Sequence, residues 1–179
     1  DKLFVDNDLK KIILNIFPQF KYYKRLKNIK KLSKNIRFMY DVDLILATLI
    51  LDESKEYEYF CYKYKTSNNT KNRLKYISEN IESIKTNKFN SEENIKKLIY
   101  MNNKKKIKDL FLFSIHTNNK LDLQKIDKII NYIDSCKIPK FPISGDDLKK
   151  FGYEAGKDLG KKLKSLEEMW IKNNFIIDK

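Results

Sequence analysis

Apolar side chains recur every three or four positions along most of this chain, which is the spacing of one face of an α-helix. The stripes lie at 9–16, 44–51, 57–64, 74–81, 95–99, 126–133 and 159–170. Proline, which interrupts helices, occurs only as Pro18, Pro139 and Pro142. Because the apolar residues recur in this way rather than alternating with polar ones, the sequence predicts an all-α fold with no sheet.

Residues that favour helix N-caps precede several of these stripes. Ser67 is predicted to cap a helix that extends to Ile81, with Thr70 at its third position. Ser91 and Asp122 are predicted to cap two later helices.

The segment KIPKFP, residues 137–142, is predicted to be non-helical, because a residue before proline is pushed toward an extended conformation. It is the best candidate for a domain boundary. We therefore expect a helical body over residues 1–138 and a small helical tail over residues 139–179.

The tail holds all four glycines of the chain. Ser144 and Asp147 have the spacing of a capping box, which predicts a short helix. Gly152 is placed to end that helix, because glycine tolerates the left-handed backbone found just after a helix. Gly156 then begins a second, longer helix, so the tail is expected to be similar to a helix-turn-helix.

The second tail helix is predicted to bury one stripe of side chains. The stripe consists of Leu159, Leu163, Leu166 and Trp170. Gly160 lies beside this stripe and lacks a side chain, which predicts a close approach between the two tail helices at that point.

The tail resembles the C-terminal end of bacterial tRNA nucleotidyltransferases, the CCA-adding enzymes and their poly(A) polymerase relatives. The family pattern is P-x-S-G-x-D-L, then G-x-x-P-G-P-x-x-G, then L-x-x-x-E-x-x-W. The corresponding segments of this chain are PISGDDL, a glycine four residues later, and then AGKDLGKKLKSLEEMWI. Two earlier stretches are similar to the family in the same order. DLILATLILDESKEYEYFCYKYKTSNNTKNRL is similar to its R-L-A-A-L-L segment and R-L-x-x-S-N, and KKLIYMNNKKKIKDLFLF to its L-x-Y-x-x-G-x-x-x-x-x-D-x-L-L-L element.

The resemblance implies that this region grips the acceptor and T-arm side of a tRNA while an N-terminal head adds nucleotides to the 3′ end. In the family, the head holds Mg2+ on a Gly-Ser followed by a D-x-D pair, and it uses ATP and CTP. The printed sequence has no such head and begins at Asp1 without a methionine, so we expect a fragment or a processed chain. We assign no catalytic residue and no cofactor to this chain and expect it to be inactive alone. Its expected partners are tRNA or another structured RNA and the N-terminal catalytic domain of the same parent protein.

Asp41-Val42-Asp43 spells D-x-D. A metal-binding pair would need two carboxylates that project together from a strand beside a triphosphate cradle. No Gly-Ser precedes this pair, and an apolar run follows it. We therefore interpret Asp41 as the N-cap of a buried helix, with Asp43 near the positive end of the helix dipole.

The charge of the chain favours a polyanionic partner. Lysine and arginine number 38 against 24 acids, which gives +14, and residues 1–144 carry +13 of it. Nearly all of these cations are lysines, and Ile, Asn, Tyr and Phe are also abundant, as expected if an AT-rich genome favours their codons. Lysine drift on a solvated surface therefore stays open as an alternative.

Two groups of residues are predicted to bind RNA. The first lies at the start of the second tail helix, where backbone amides and lysines converge on a phosphate: Gly156, Lys157, Gly160, Lys161 and Lys162. The second is Lys104, Lys105, Lys106 and Lys108, whose charges oppose the dipole at a helix start. RNA phosphates would relieve that repulsion, and a solvated face is the equal alternative.

The remaining candidate chemistry is sparse. Cys61 and Cys136 lack C-x-x-C spacing and His116 is the only histidine, so no metal site is expected, and the free thiols indicate a reducing, cytoplasmic location. We interpret His116 as a residue at a helix C-terminus that interacts with the dipole. The longest apolar run, residues 44–51, is far short of the ~20 residues that span a bilayer, so no membrane partner is expected.

The aromatic segment YEYFCYKYK invites a base-stacking interpretation, but its spacing favours one buried face with Tyr59 and Tyr62 on the flank. Two other functions stay open. One is a helical protein-interaction or assembly module with an incidental basic surface, and the other is a self-sufficient enzyme, which the missing catalytic elements disfavour.

Overall fold

The computed structural model describes residues 6–85, 89, 91–117 and 123–176. Within those ranges every regular element is helical and no strand occurs, which confirms the predicted all-α fold. A short 3-10 turn at Tyr23–Arg25 leads into the second helix. The helices are α1 Asn7–Ile16, α2 Leu26–Lys30, α3 Lys34–Arg37, α4 Val42–Ile50, α5 Glu56–Lys63, α6 Asn68–Glu79, α7 Ile81–Lys85, α8 Glu92–Met101, α9 Lys104–Thr117, α10 Leu123–Ser135, α11 Gly145–Lys150 and α12 Lys157–Lys172.

Helix α9 forms the centre of the core. Its side chains from Asp109 to His116 are all buried, so this part of the helix is enclosed on every side. It packs against α2, α4, α6, α7, α8 and α10. The body is thus a layer of helices arranged around one buried helix, in which Phe111 and Phe113 are fully inaccessible to solvent.

The predicted caps Asp41, Ser67 and Ser91 are confirmed. Each side chain accepts a hydrogen bond from the backbone N–H of the third residue of its helix, the geometry that satisfies an otherwise unpaired donor. The predicted cap Asp122 lies outside the described residues.

The helix predicted to run from Ser67 to Ile81 is instead two helices. Helix α6 ends at Glu79, and Ile81 begins α7. Between them Asn80 turns its side chain back, and its Nδ2 donates to the carbonyl of Tyr76 at 2.8 Å. Asparagine competes in this way with the main chain for hydrogen bonds, which favours a break.

The aromatic helix α5 follows the packing interpretation. Tyr57, Phe60 and Cys61 are buried, while Tyr59 and Tyr62 are exposed. The periodicity of the segment therefore identified its inner face correctly.

His116 lies in the last turn of α9, but its predicted interaction with the helix dipole is wrong. The side chain is buried, and its Nε2 lies 2.9 Å from the hydroxyl of Tyr40, which itself donates to the carbonyl of Leu112. Burial, with Arg25 nearby, lowers the pKa of His116 to about 4. The ring is therefore neutral at pH 7 and carries no charge for the dipole to stabilise.

Residues 136–144 contain no helix, as the proline-rich segment predicts. The tail that follows is held on α8 by an aromatic cluster of Tyr100, Phe141, Trp170 and Phe175. The rings of Tyr100 and Trp170 meet edge to face with their centroids 5.6 Å apart, and the hydroxyl of Tyr100 donates to Glu167. Side-chain packing therefore fixes the position of the tail on the body.

Candidate nucleic-acid interface

The N-terminus of α11 is occupied by its own side chains. Ser144 Oγ accepts from the backbone N–H of Asp147 at 3.3 Å, and the Asp147 carboxylate accepts from the backbone N–H of Ser144 at 2.9 Å. This is the predicted capping box. The hydrogen bonds from Ser144 hold the pKa of Asp147 below its usual range. A phosphate would meet a carboxylate at this position rather than free amides.

The turn between the tail helices has the geometry predicted for a glycine at the helix end. Gly152 has φ +89°, and its N–H donates to the carbonyl of Lys149 at 2.9 Å. The N–H of Tyr153 donates to the carbonyl of Leu148 at 3.2 Å. These two bonds form a Schellman motif, which needs the left-handed backbone that glycine adopts at little cost.

The N-terminus of α12 has no side-chain cap, because its N-cap residue is Gly156. Lys157, Lys161 and Lys162 are all exposed around this end. At 3.6 residues per turn Lys157 and Lys161 share a face, whereas Lys162 lies about 100° further round. Lys161 also contacts Asp158, with 3.3 Å between Nζ and Oδ1. The helix end therefore presents free backbone donors and two aligned lysines, with one nearby carboxylate.

The role predicted for Gly160 in helix packing is wrong. Gly160 is exposed, and a Cβ at this position would meet no atom within 4 Å. The close approach lies at Gly145 instead, where a Cβ would come 3.4 Å from the Leu159 side chain. The two helices meet at the start of α11, which a count of glycines along α12 does not show.

The stripe of α12 is buried only at its C-terminal end. Trp170 is buried under the aromatic cluster, while Leu159, Leu163 and Leu166 are half-buried. The N-terminal turns of α12 therefore reach away from the core, and this leaves the Gly156 end open to solvent.

The lysine cluster at the start of α9 splits into two pairs. Lys104 Nζ donates to the carbonyl of Asp134 at 2.6 Å, and Lys108 forms an ion pair with the carboxylate of the same residue. These two lysines bind the C-terminal turn of α10, where cations are favourable. Their predicted role in RNA binding would have to compete with this contact.

Lys105 and Lys106 are exposed and line a cleft of about 640 Å³. Lys106 Nζ lies 4.6 Å from the centre of the Tyr76 ring, a cation–π contact. The other lining residues are mostly amides and carboxylates: Asp43, Asn69, Asn72, Arg73, Asn103 and Asp109. Only this half of the predicted lysine cluster therefore faces a polar, solvent-filled surface.

Arg73 joins three helices at one wall of the cleft. Its Nε and one terminal nitrogen donate to the two oxygens of Asp109, both at 2.7 Å, and the other terminal nitrogen donates to Asp41 at 2.6 Å. That nitrogen also lies 3.8 Å from Asp43. Burial by itself lowers the pKa of Arg73, but the hydrogen bonds to Asp109 and Asp41 raise it above the usual range.

The D-x-D pair is used structurally, as its position before an apolar run predicts. Asp41 accepts from the backbone N–H of Leu44 at 3.0 Å, and Asp43 accepts from the hydroxyl of Thr70 at 2.9 Å. With the Arg73 guanidinium beside both carboxylates, the pair does not fit a magnesium site, because a second cation would be repelled.

The two predicted lysine groups lie on different helices, α12 and α9. The tail contacts the body where Glu167 meets Tyr100, a few residues before α9 begins. The Gly156 end of α12 lies about 15 Å along the helix axis from that contact, at 1.5 Å per residue.

A family model described as tRNA nucleotidyltransferase domain 2, putative, matches residues 41–178. The match runs from the N-cap of α4 to beyond α12 and so includes most of the chain. The chain belongs to this tRNA nucleotidyltransferase family. The resemblance seen in the sequence motifs is thereby confirmed.

Curated relatives carry the name CCA tRNA nucleotidyltransferase 1, mitochondrial. The chain is 39% identical to the Danio rerio protein over 59 residues and 35% identical to the Homo sapiens protein over 51 residues. These matches cover 33% and 28% of this chain but only 14% and 12% of the relatives' own length. The comparison therefore identifies a CCA-adding family region rather than a whole enzyme.

The relatives' printed names place them in mitochondria, so the cytoplasmic location expected for this family member stays a prediction. Among the described residues, no helix combines the length and apolarity needed to cross a membrane.

Sequence reasoning missed Arg73, although it is one of only three arginines in this member of the tRNA nucleotidyltransferase family. An arginine among 35 lysines is itself a signal, because its planar, forked group suits buried pairing with carboxylates. Its partners come from α4 and α9, which no local spacing connects.

Proposed function

We propose that this chain is the tRNA-binding part of a CCA-adding tRNA nucleotidyltransferase and that it positions the acceptor and T-arm side of tRNA for 3′-end addition. The observation that carries the proposal is the family match over residues 41–178. The CCA-adding relatives favour CCA addition over poly(A) synthesis.

The open end of α12 supports this role physically. Its uncapped amides and the aligned Lys157 and Lys161 suit a phosphate group. An A-form duplex hides its bases in a deep major groove, so a protein recognises it by shape and phosphate position. Lys105 and Lys106 offer a second contact at the cleft.

Nucleotide addition is proposed for an N-terminal catalytic head of the parent protein. That head would use ATP and CTP and would hold Mg2+ on its own carboxylates. Asp41 and Asp43 contribute no such site because Arg73 occupies the space between them. The printed chain alone should therefore incorporate no nucleotide into tRNA, and labelled incorporation above a no-protein control would contradict this.

Fluorescence anisotropy with labelled tRNA over a series of salt concentrations tests the binding. We expect the logarithm of affinity to fall by roughly 0.9 per neutralised phosphate for each unit of log salt concentration. Replacing Lys157, Lys161 and Lys162 together by glutamate should weaken tRNA binding by about tenfold or more and make the salt dependence shallower. Circular dichroism should show intact helices, since all three side chains are exposed.

A matched control reverses three exposed lysines at scattered positions: Lys55, Lys75 and Lys140. This control changes the net charge by the same amount without altering the α12 end. Equal loss of affinity in both triple variants would mean that α12 is not the binding site. A wild-type chain that binds no tRNA at any salt concentration would instead favour the protein-interaction module.

A further inference from the structure

The positive charge of this chain is concentrated in the N-terminal part of its sequence. Residues 9–40 contain ten lysines and arginines and not one aspartate or glutamate. This stretch of 32 residues therefore supplies +10 of the total +14. It lies before residue 41, where the family match begins.

Five of these cations are exposed, and we name them the α2–α3 basic surface: Lys24 in the 3-10 turn, Lys27 in α2, Lys31 just after α2, and Lys34 and Arg37 in α3. Lys34 and Arg37, three residues apart in α3, lie on one face of that helix, and Lys24 and Lys27 both lie close enough to Tyr23 to act on its hydroxyl. Leu26, Leu32 and Ile36 anchor the same segment in the core at 7%, 4% and 2% exposure. The surface is therefore held by a fixed backbone.

The cations of the α2–α3 basic surface are not neutralised by carboxylates in the part of the chain that the structure describes. Among the described residues, no carboxylate lies within 4.0 Å of the charged nitrogens of Lys24, Lys27, Lys31 or Arg37. A nearby carboxylate, Asp127 of α10, accepts from the hydroxyl of Ser33 at 3.4 Å. Unpaired cations crowded in this way repel one another, and a bound polyanion would remove that cost.

Charge from the first helix reaches the same place. Lys10 lies 4.9 Å above the ring of Tyr23, at the start of the segment. The contact with Lys10 lowers the pKa of the Tyr23 hydroxyl, and Lys24 and Lys27 lower it further. The ammonium groups of Lys10, Lys24 and Lys27 therefore all lie near the Tyr23 side chain.

We propose that the α2–α3 basic surface is a third RNA-backbone-binding surface, made of residues other than those of the tail and the cleft. The inference rests on the proposed function, because it takes RNA as the partner of this chain. It adds a contact that neither the family match nor the sequence motifs assign.

The composition of the surface favours RNA phosphates over an anionic membrane. Every exposed position from residue 24 to 37 holds Lys, Arg, Asn or Ser, so Phe38 at the end of this stretch is the one exposed apolar side chain in residues 24–38 that could insert into lipid. Phe38 follows at its end, 76% exposed, with Lys34 Nζ 5.9 Å from the ring centre. An open ring beside cations suits stacking with an unpaired base.

The test measures binding of the full 179-residue chain to tRNA and to a short RNA duplex of unrelated sequence, by anisotropy at several salt concentrations. The variant replaces Lys24, Lys27 and Lys31 together by glutamate. We expect about tenfold or greater loss of affinity for both RNAs and a log-log salt slope that is shallower by roughly three, one per lysine. A parallel variant with glutamine at the same positions should also lose RNA affinity, but by a smaller factor. It replaces the glutamate variant in the test if the glutamate variant unfolds.

The control is again the Lys55, Lys75 and Lys140 triple reversal, which should change the salt slope by less than one unit. The proposal is overturned if the α2–α3 variants bind both RNAs no more weakly than this control. It is equally overturned if wild-type protein binds vesicles of phosphatidylserine and phosphatidylcholine but neither RNA. Loss of tRNA binding in the tail variant alone would uphold the proposed function and refute the α2–α3 basic surface. Loss of tRNA binding in the α2–α3 variants alone would uphold this surface and refute the tail site.

Discussion

Replacing Arg73 by alanine tests whether its ion pairs hold α4, α6 and α9 together. The Arg73 side chain is 14% exposed, and that of its main partner Asp109 is 10% exposed. Without the guanidinium, the Asp109 carboxylate would lose two hydrogen bonds of 2.7 Å and would stay desolvated in the core. An unpaired buried charge of this kind costs far more than the pair itself contributes.

The magnitude follows from that asymmetry. Removing one partner of a buried ion pair costs about 3–5 kcal/mol. Asp41 adds little to this, because its side chain is 55% exposed and water replaces the lost contact. We therefore expect Arg73→Ala to lower the free energy of unfolding by about 4 kcal/mol. With a urea m-value of about 2 kcal/mol/M, the midpoint should fall by about 2 M.

Urea titration followed by far-ultraviolet circular dichroism measures this shift. Arg37→Ala is the matched control, since Arg37 is exposed and should change stability by no more than about 0.5 kcal/mol. Adding Asp109→Asn to Arg73→Ala should recover about 2 kcal/mol relative to the sum of the two single changes, because no unpaired charge then remains. A midpoint for Arg73→Ala equal to that of the control would refute the reasoning.

Three further predictions concern the turn, the histidine and the tail contact. Gly152→Ala should destabilise the folded protein by about 1 kcal/mol, because the φ of Gly152 is +89°. Gly160→Ala should stabilise it by about 0.5–1 kcal/mol, because this helical position has open space for a methyl group. Thermal melts in which both changes move the melting temperature in the same direction would contradict this. Because the folded pKa of His116 is about 4 and its unfolded pKa about 6.5, stability is complete above about pH 6.5 and falls as the pH drops toward 4. Between pH 7 and 5 urea midpoints should record a loss of about 2 kcal/mol that His116→Gln lacks. Tyr100→Ala should shift the emission of Trp170, the only tryptophan, to longer wavelength as the tail loosens, and an unchanged spectrum would show that the tail does not depend on this ring.

Local signals in the sequence were enough to find most of the longer helices and several of their ends. Ser67 and Ser91 act through hydrogen bonds to residues three positions away, and Gly152 acts through its own backbone angle. Such effects depend on neighbouring residues alone, so spacing reveals them. The break at Asn80 was missed because apolar periodicity continues across it while the backbone does not.

Features that depend on tertiary contacts were not predictable in the same way. The sequence does not distinguish Lys104 and Lys108 from Lys105 and Lys106. The position of α10 decides that Lys104 and Lys108 are the pair that contacts Asp134. His116 was expected to interact with the helix dipole because its burial against Tyr40 was not visible in the sequence. The basic stretch of residues 9–40 was visible but was averaged into the charge of a much longer segment.

Helix α12 sets a fixed distance and a fixed rotation between its packed end and its free end. One end is clamped by Trp170 in the aromatic cluster, and the other ends freely at Gly156. The length of the rod between them is set by residue count, since each residue adds 1.5 Å and about 100° of rotation. A single insertion between Lys162 and Leu166 would therefore leave the clamp intact but turn Lys157 and Lys161 away from any ligand seated on the body. Four inserted residues, about one turn, would restore their direction while moving them about 6 Å outward.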